Sequence, residues 1–452
     1  MHDTLGAHLG LWTVLPFAGI LLAIALLPLA VGHWWEHNRN KAIVAAALAL
    51  PVAVYLPVAH GTPGLHVLLE KLYEYASFIT LLTALFVTTG GVYVRGSLSG
   101  TPLQNTTILA IGALLASVVG TTGASALLVR PLLRANAPRA RVAHIVVFFI
   151  FIVSNCGGLL TPLGDPPLFL GYLKGVPFEW TFDLWPQWLL VNGALLLIFQ
   201  VWDQVVFDRE ERERPGSQLE QVQEHEPLGL EGSHNLLFLA GVVLVIYAAG
   251  RGVGTGGHPW PMGVQEAALV AFTVGAYATT TPQTRARNRF TFSPIVEVAV
   301  LFAGIFVTMA PALLILNAWG HGDRTVLDMA FTADQPWQYF WASGGLSSFL
   351  DNAPTYLTFT ATAAGTLGVP VGGRFLTEFL QQGDRAAALL AAISCGSVFM
   401  GANSYIGNGP NFMVKAIAEE HGVHMPSFFG YMAYSVGILI PIFVVVTLVF
   451  FG

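Results

Sequence analysis

Ser154–Pro167, SNCGGLLTPLGDPP, interrupts an apolar run that extends from position 142 to about position 172. A run of this length predicts a membrane-spanning helix. The helix cannot be continuous, because Gly157 and Gly158 weaken it and Pro162 removes one of its backbone hydrogen bonds. We therefore predict a broken helix, whose free backbone groups are tolerated at membrane depth only if they are buried in protein or line a wet cavity.

The end of this stretch predicts that a second helical part begins there. Asp165 is a favourable N-cap residue, and Pro166 is tolerated at the first position of a helix. Capping is one sufficient explanation for a carboxylate at this place. The other is that Asp165 contributes to a site for ions or substrate, since broken helices hold such sites in secondary transporters.

Composition places the whole chain in the membrane. Of its 452 residues, 54% are hydrophobic and only 10% are charged, whereas a soluble domain carries about 25% charged residues. The two cysteines, Cys156 and Cys395, form no disulfide framework and no metal-binding pattern. The sequence shows no nucleotide fingerprint, phosphate loop or nucleophile triad. We therefore expect no enzyme activity, no cofactor and no nucleic-acid partner; the expected partners are membrane lipid and a small ion or anion.

Apolar segments of suitable length predict about ten full spans and two interrupted segments. The predicted spans are 11–31, 43–58, 74–94, 143–172 (broken), 184–206, 234–250, 264–280, 295–318, 386–418 (broken) and 427–450. The interrupted segments, about 105–133 and 337–365, are interpreted as re-entrant hairpins.

Basic residues orient this layout, because cytoplasmic loops are enriched in Lys and Arg. The largest basic cluster follows the first hairpin and consists of Arg130, Arg134, Arg139 and Arg141. It is cytoplasmic only if segment 105–133 does not cross the membrane. We therefore interpret these arginines as determinants of topology, place the N-terminus outside, and expect a multi-pass protein of the cytoplasmic (inner) membrane of a prokaryote.

The odd number of spans in each half predicts an inverted repeat. Residues 1–207 form the first half, 208–232 a cytoplasmic linker, and 233–452 the second half. Sequence echoes support this division: Ser117–Thr122 aligns with Ser347–Asn352, and Gly164–Pro167 aligns with Gly407–Pro410. The predicted fold is thus an all-α polytopic membrane protein made of inverted repeats, each with one hairpin and one broken helix.

The hairpin tips and helix breaks carry mostly oxygen donors, which suit a hard cation such as Na+. The candidate binding residues are Thr121, Thr122, Ser125, Asn155, Thr161, Asp165, Asp351, Asn352, Thr355, Asn403, Ser404 and Asn408. Among them we expect Asp165, Asn155, Asp351 and Asn352 to bind Na+.

Asp165 and Asp351 are the strongest candidates, because an unpaired carboxylate at membrane depth is costly and marks a functional site by default. One buried carboxylate can hold either a proton or a cation. For Asp351 the structural alternative is an Asx turn at the hairpin tip. Glu74 and Glu297 are weaker candidates for a proton relay or a scaffold contact; their places near span ends favour a surface role.

These motifs resemble the ion transporter superfamily, which includes arsenite pumps, citrate carriers and divalent anion/sodium symporters. The resemblance is strongest to NhaD-type sodium/proton antiporters, whose pattern Ser-Asn-x-Gly-Gly-x-x-[ST]-Pro-x-Gly-Asp matches residues 154–165. Their Leu-Asp-Asn motif matches Leu350, Asp351 and Asn352. In the first hairpin, Thr121-Thr122 stands where these antiporters usually have Asp-Asn.

The resemblance implies a Na+(Li+)/H+ antiporter that works as a homodimer with an elevator-type motion. The alternative is a Na+- or H+-coupled symporter of citrate, another di- or tricarboxylate, or an inorganic anion. The absence of Lys and Arg from the hairpin tips and helix breaks favours a cation as cargo. The Asn and Thr residues at the same tips resemble those of the anion symporters.

Overall fold

The computed structural model describes residues 5–35, 37–95, 100–213, 229–256, 258, 260–323 and 333–452. Most of the predicted linker, residues 214–228, lies outside this part of the chain. The helices are α1 Leu5–His8, α2 Leu15–Ala30, α3 Gly32–Trp35, α4 Asn38–Gly90, α5 Pro102–Val119, α6 Thr121–Ala135, α7 Ala143–Ile152, α8 Pro166–Leu173, α9 Trp185–Glu213, α10 Asn235–Arg251, α11 Val264–Thr279, α12 Pro282–Arg287, α13 Ser293–His321, α14 Pro336–Ser347, α15 Asn352–Thr366, α16 Phe375–Leu380, α17 Asp384–Met400, α18 Gly409–Glu420 and α19 Phe428–Val446. Two short strands, β1 Tyr93–Arg95 and β2 Gly229–Glu231, pair antiparallel.

Within the described residues, seven helical runs are long and apolar enough to cross a membrane. Two shorter apolar helical stretches, Ala143–Leu159 and Asn235–Arg251, accompany them. These runs confirm that the chain is an all-α polytopic membrane protein.

Helix α4 contains both spans predicted at 43–58 and 74–94, and the helical residues extend beyond the predicted bounds. It has 53 residues and would be about 80 Å long if straight, more than twice the roughly 30 Å hydrocarbon thickness of a bilayer. Gly61, with φ 59° and ψ −137°, divides it into two helical parts. The second part begins earlier than predicted because the charged residues of 70–74 are neutralised within the fold.

Each interrupted segment consists of two helices that meet at a tip. α5 and α6 join at Gly120, whose φ of 84° suits glycine. α14 and α15 join through residues 348–351. The broken helices likewise have two parts, α7 with α8 and α17 with α18, and a short 3₁₀ turn lies in each break at Cys156–Leu159 and Gly401–Asn403.

An apolar wall faces these breaks. It is formed by α4 from the first half of the chain and α13 from the second, which pack against each other. Phe78 of α4 stacks on Phe302 of α13 with ring centroids 4.9 Å apart, and both rings are buried. The tips and breaks therefore meet a continuous hydrophobic surface built from both halves.

Candidate ion-binding site

Asp165 is the centre of the site. Its side chain lies in the break before α8 and is 1% exposed. The Thr121 hydroxyl donates a hydrogen bond of 2.8 Å to Oδ1, and the Asn408 amide donates one of 3.2 Å to the same oxygen. The Asn352 amide donates to Oδ2. Three segments far apart in sequence thus converge on one carboxylate, and all three donors are neutral.

Asp165 is the N-cap residue of α8, but its side chain accepts no hydrogen bond from that helix. The carboxylate contacts the hairpin tips instead. Capping by the side chain, the structural alternative for this residue, is therefore not what the structure shows.

Asp351 caps the start of α15 and also lines the cavity next to Asp165. Its carboxylate accepts a 3.0 Å hydrogen bond from the backbone N–H of Ala353, as an Asx turn requires. It also lines, together with Asp165, a cavity of about 110 Å³. Thr121, Thr122 and Asn408 line the same cavity. The two carboxylates predicted from the sequence therefore share one cavity.

The opposite side of this cavity is apolar. Its lining includes Phe78, Leu81, Leu85 and Phe302 of the α4–α13 wall. Among the described residues that line the cavity, none is Lys or Arg. The negative charge of the two aspartates is therefore not balanced by a cationic side chain within the cavity.

Asn155 is linked to Asp165 through Asn408, which forms hydrogen bonds with both. Its side-chain oxygen accepts from the Asn408 amide at 3.2 Å, and its own amide donates to Asn411 at 2.7 Å. Asn155 thus positions Asn408, which in turn contacts the carboxylate. Asn411, one of the oxygen donors in the second helix break, thus links the two broken helices.

The same pair of hydrogen bonds occurs in both halves of the chain. The Thr161 hydroxyl donates to the carbonyl oxygen of Ser117 and accepts from the N–H of Leu163 at 3.1 Å. The Ser404 hydroxyl donates to the carbonyl oxygen of Ser348 at 2.5 Å and accepts from the N–H two residues later at 3.3 Å. Each pair of bonds ties a helix break to a hairpin tip.

These hydrogen bonds shift the alignment of the first hairpin tip with the second by one residue, relative to the alignment predicted from the sequence. Ser117 corresponds to Ser348 rather than to Ser347. Thr121 then corresponds to Asn352, and both residues begin a helix and donate to Asp165. The residue that corresponds to Asp351 is Gly120, so the first tip has no carboxylate at this place.

The remaining candidates lie around this centre. The Ser125 and Ser154 hydroxyls are 2.8 Å apart, and the Thr355 hydroxyl donates to the backbone of its own helix. The Asn403 amide donates to Ser348 at 2.9 Å. Two amide oxygens, Asn352 Oδ1 and Asn403 Oδ1, are buried and accept no hydrogen bond within the described part of the protein.

Glu74 and Glu297 form ion pairs outside the cavity. Glu74 is 7% exposed and pairs with Lys71 at 3.0 Å and with Lys174. The expected surface role is therefore wrong for Glu74, because α4 continues past it and two lysines neutralise it. Glu297 pairs with Lys41 at 2.7 Å. Neither glutamate is among the residues that line the cavity.

Residues 6–451 match the model of a family described as putative citrate transport. The match covers the hairpins, the broken helices and the apolar wall. No curated protein matches the chain.

Proposed function

The chain belongs to the putative citrate transport family, and on that premise we propose that it is a secondary carrier of citrate or a similar carboxylate, coupled to Na+ or H+. The environment of the Asp165 side chain is the observation that supports coupling to a cation. Its three hydrogen-bond donors are neutral, and it forms no ion pair within the described residues. A buried carboxylate without a counter-charge is costly, so Asp165 requires a proton or a metal cation.

Oxygen atoms around Asp165 suit a hard cation such as Na+. Asp165, Asp351, Thr121 and Thr122 line the same cavity. The side-chain oxygen of Asn352 is buried beside it without a hydrogen-bond donor. An acceptor in that state costs free energy, and a bound cation would satisfy it. We place Na+ at Asp165, Asp351 and Asn352, with Asn155 acting through Asn408.

The arrangement of the tips and the wall favours a sliding mechanism. In carriers built from inverted repeats, alternating access comes from the movement of one part of the repeats against another. Here the hairpins and broken helices form a polar unit, and α4 and α13 present it with an apolar wall. We propose that this unit moves along the wall with its cation and its anion. We further propose that the protein is a homodimer and that the dimer interface lies outside the moving unit.

Na+(Li+)/H+ antiport is the second candidate. The cavity is small, at about 110 Å³, it contains two carboxylates, and no Lys or Arg is among its described lining residues. These features suit a cation as the only cargo. An antiporter would load Na+ and H+ alternately on Asp165 and would need no site for an anion.

Flux into proteoliposomes separates the two functions. Labelled citrate uptake and the quenching of a pH-sensitive dye are measured in parallel with gradients of Na+, Li+ and K+. Citrate uptake driven by Na+ or H+ supports the carrier proposed here. Proton movement driven by Na+ without any citrate uptake would instead establish the antiporter.

Asp165→Asn tests the cation site in either case. The amide keeps the size of the side chain but cannot carry the charge that binds a cation. We expect cation-driven flux to fall to background, while the variant remains folded by circular dichroism and gel filtration. Flux at the wild-type level would remove Asp165 from the mechanism.

A further inference from the structure

A second cavity of about 200 Å³ adjoins the ion-binding cavity, and Phe86 and Pro294 line both. We call this second cavity the vestibule. Its walls come from α4, α6, α18 and the turn between α12 and α13. Two guanidinium groups line it, those of Arg130 and Arg289, and no Asp or Glu is among its described lining residues. The vestibule is thus basic where the adjacent cavity is acidic.

Arg130 is half-buried on α6, near the like charges of Arg134 and Arg289 and the opposite charge of Glu420. Its Nε is buried without a hydrogen bond, and no ion pair joins Arg130 to another residue in the ranges that the structure covers. A buried donor that forms no hydrogen bond costs free energy. The position of Arg130 in a basic cluster predicts a role in membrane topology, but its side chain lines a cavity next to the proposed cation site.

Arg289 ends helix α12 in a left-handed backbone conformation. With φ at 48°, it is the one non-glycine residue with a positive φ in the described chain. Helices commonly end with a left-handed residue at this place, most often glycine. Hydrogen bonds from its own N–H to Ala286 and from the N–H of Phe290 to Arg285 hold the turn in this conformation. This end of α12 therefore positions Arg289 at the vestibule.

The ion pair of Arg289 with Glu420 is weak. Both side chains are more than half exposed, at 55% and 54%, and exposed pairs contribute at most about 1 kcal/mol. An incoming anion can therefore replace Glu420. A guanidinium group presents parallel N–H donors that match the two oxygens of a carboxylate.

We infer that the vestibule is the carboxylate-binding subsite of the carrier, in which Arg130 on the moving hairpin and Arg289 beside the wall bind separate carboxylates of a citrate-class anion. When the unit moves, the anion stays with Arg130 and leaves Arg289. This assignment rests on the proposed function and specifies where its anionic cargo binds. It also resolves a charge conflict. An anion at Asp165 and Asp351 would be repelled, whereas an anion in the vestibule lies beside the cation that those residues hold.

Charge-neutral variants test the subsite. We compare Arg130→Gln and Arg289→Gln with Arg285→Gln, a control from the same basic stretch. Arg285 contacts Tyr277, with its guanidinium 4.1 Å from the ring centroid, and is not among the vestibule residues. We expect the KM for citrate to rise at least tenfold in the first two variants and to change less than twofold in the control. Arg130→Lys should recover part of the loss.

A binding measurement separates this inference from the proposed function. Citrate and NaCl are each titrated against the melting temperature of the purified protein. Citrate should stabilise the wild type but not Arg130→Gln, and stabilisation by Na+ should remain the same in both. Asp165→Asn should lose the Na+ effect.

Each outcome has one meaning. A wild-type KM for citrate in both arginine variants would overturn the subsite and leave the carrier intact. Stabilisation by citrate that depends on Arg130, without any citrate flux, would uphold the subsite and overturn the carrier. Absence of both citrate flux and citrate stabilisation in the wild type would overturn both.

Discussion

Thr121 and Thr122 are neighbouring hydroxyls that both line the ion-binding cavity, but they differ in their contacts. Thr121 donates a 2.8 Å hydrogen bond to Asp165 and is 1% exposed. Thr122 is half-buried and makes no such bond. The two residues therefore offer a matched test of what a single donor to the carboxylate contributes.

We predict that Thr121→Val raises the Na+ concentration for half-maximal flux about tenfold. A hydrogen bond to a charged group contributes roughly 1.5–3 kcal/mol, and about 1.4 kcal/mol corresponds to a factor of ten in affinity. Thr122→Val should change this concentration less than twofold. Na+-dependent flux in proteoliposomes is the measurement, and equal effects of the two substitutions would contradict the assigned geometry.

The two aspartates could be predicted from the sequence, but the function of Arg130 could not. Asp165 and Asp351 are charges in apolar segments next to residues that break helices, and this combination is visible without coordinates. Arg130 lies in a basic cluster, where the positive-inside rule is a sufficient explanation. Only the packing of α6 against α18 and the α12–α13 turn shows that its guanidinium lines a cavity.

At the scale of elements, the break between α7 and α8 depends on a close approach of two glycines. A Cβ atom on Gly164 would overlap the carbonyl oxygen of Gly158. The carbonyl of Gly164 also accepts a 2.8 Å hydrogen bond from the N–H of Thr121. The fold of the break and the position of the first hairpin tip are therefore coupled through Gly164.

We predict that Gly164→Ala lowers the free energy of unfolding by about 1–3 kcal/mol, the usual cost of inserting a methyl group into a packed interior. Gly193→Ala on α9 is the control, because a Cβ there meets no atom within 4 Å. Alanine favours a helix over glycine by about 1 kcal/mol, so the control should be neutral or stabilising. Melting temperatures in detergent measure both changes, and a comparable loss in the control would argue against the close approach.

The positions of the breaks were predictable because Gly, Pro and Asp disrupt helices locally. The alignment of the two tips was not, since one residue of shift leaves both segments equally apolar. The hydrogen bonds of Thr161 and Ser404 fix the alignment, and they depend on tertiary contacts. For the same reason, the second part of α4 was predicted too short: nothing in the local sequence shows that Glu70 and Glu74 are neutralised by Lys174, about a hundred positions away.

At the scale of the whole molecule, the two halves contribute corresponding parts. α4 and α13 form the wall, the tips contribute Thr121 and Asn352 to one carboxylate, and each break is tied to its hairpin by the same hydrogen bonds. The opposite membrane orientation of the halves remains a prediction from the distribution of arginines. It follows that the proposed cation site requires both halves, since the donors to Asp165 come from both.

A buried ionic cluster lies at the C-terminal end of α8, where it joins the first broken helix to wall helix α4. It consists of Glu70, Lys71, Glu74 and Lys174. Lys174, directly after α8, has a side chain that is 2% exposed and lies 3.2 Å from Glu70. Glu70 also accepts a 2.8 Å hydrogen bond from the N–H of Gly373 in the second half. Two positive and two negative charges are balanced in this cluster.

We predict that Lys174→Met destabilises the protein by about 3–5 kcal/mol, because removing one partner leaves a buried charge without compensation. Lys415→Met is the control: Lys415 pairs with Glu419 at 2.7 Å near the surface, and the loss of such a pair costs under about 1 kcal/mol. Adding Glu70→Gln to Lys174→Met restores the balance of charge and should recover part of the loss. Melting temperatures of the single and double variants form a double-mutant cycle that isolates the pair. Strictly additive losses would show that Lys174 stabilises the fold by packing rather than by charge.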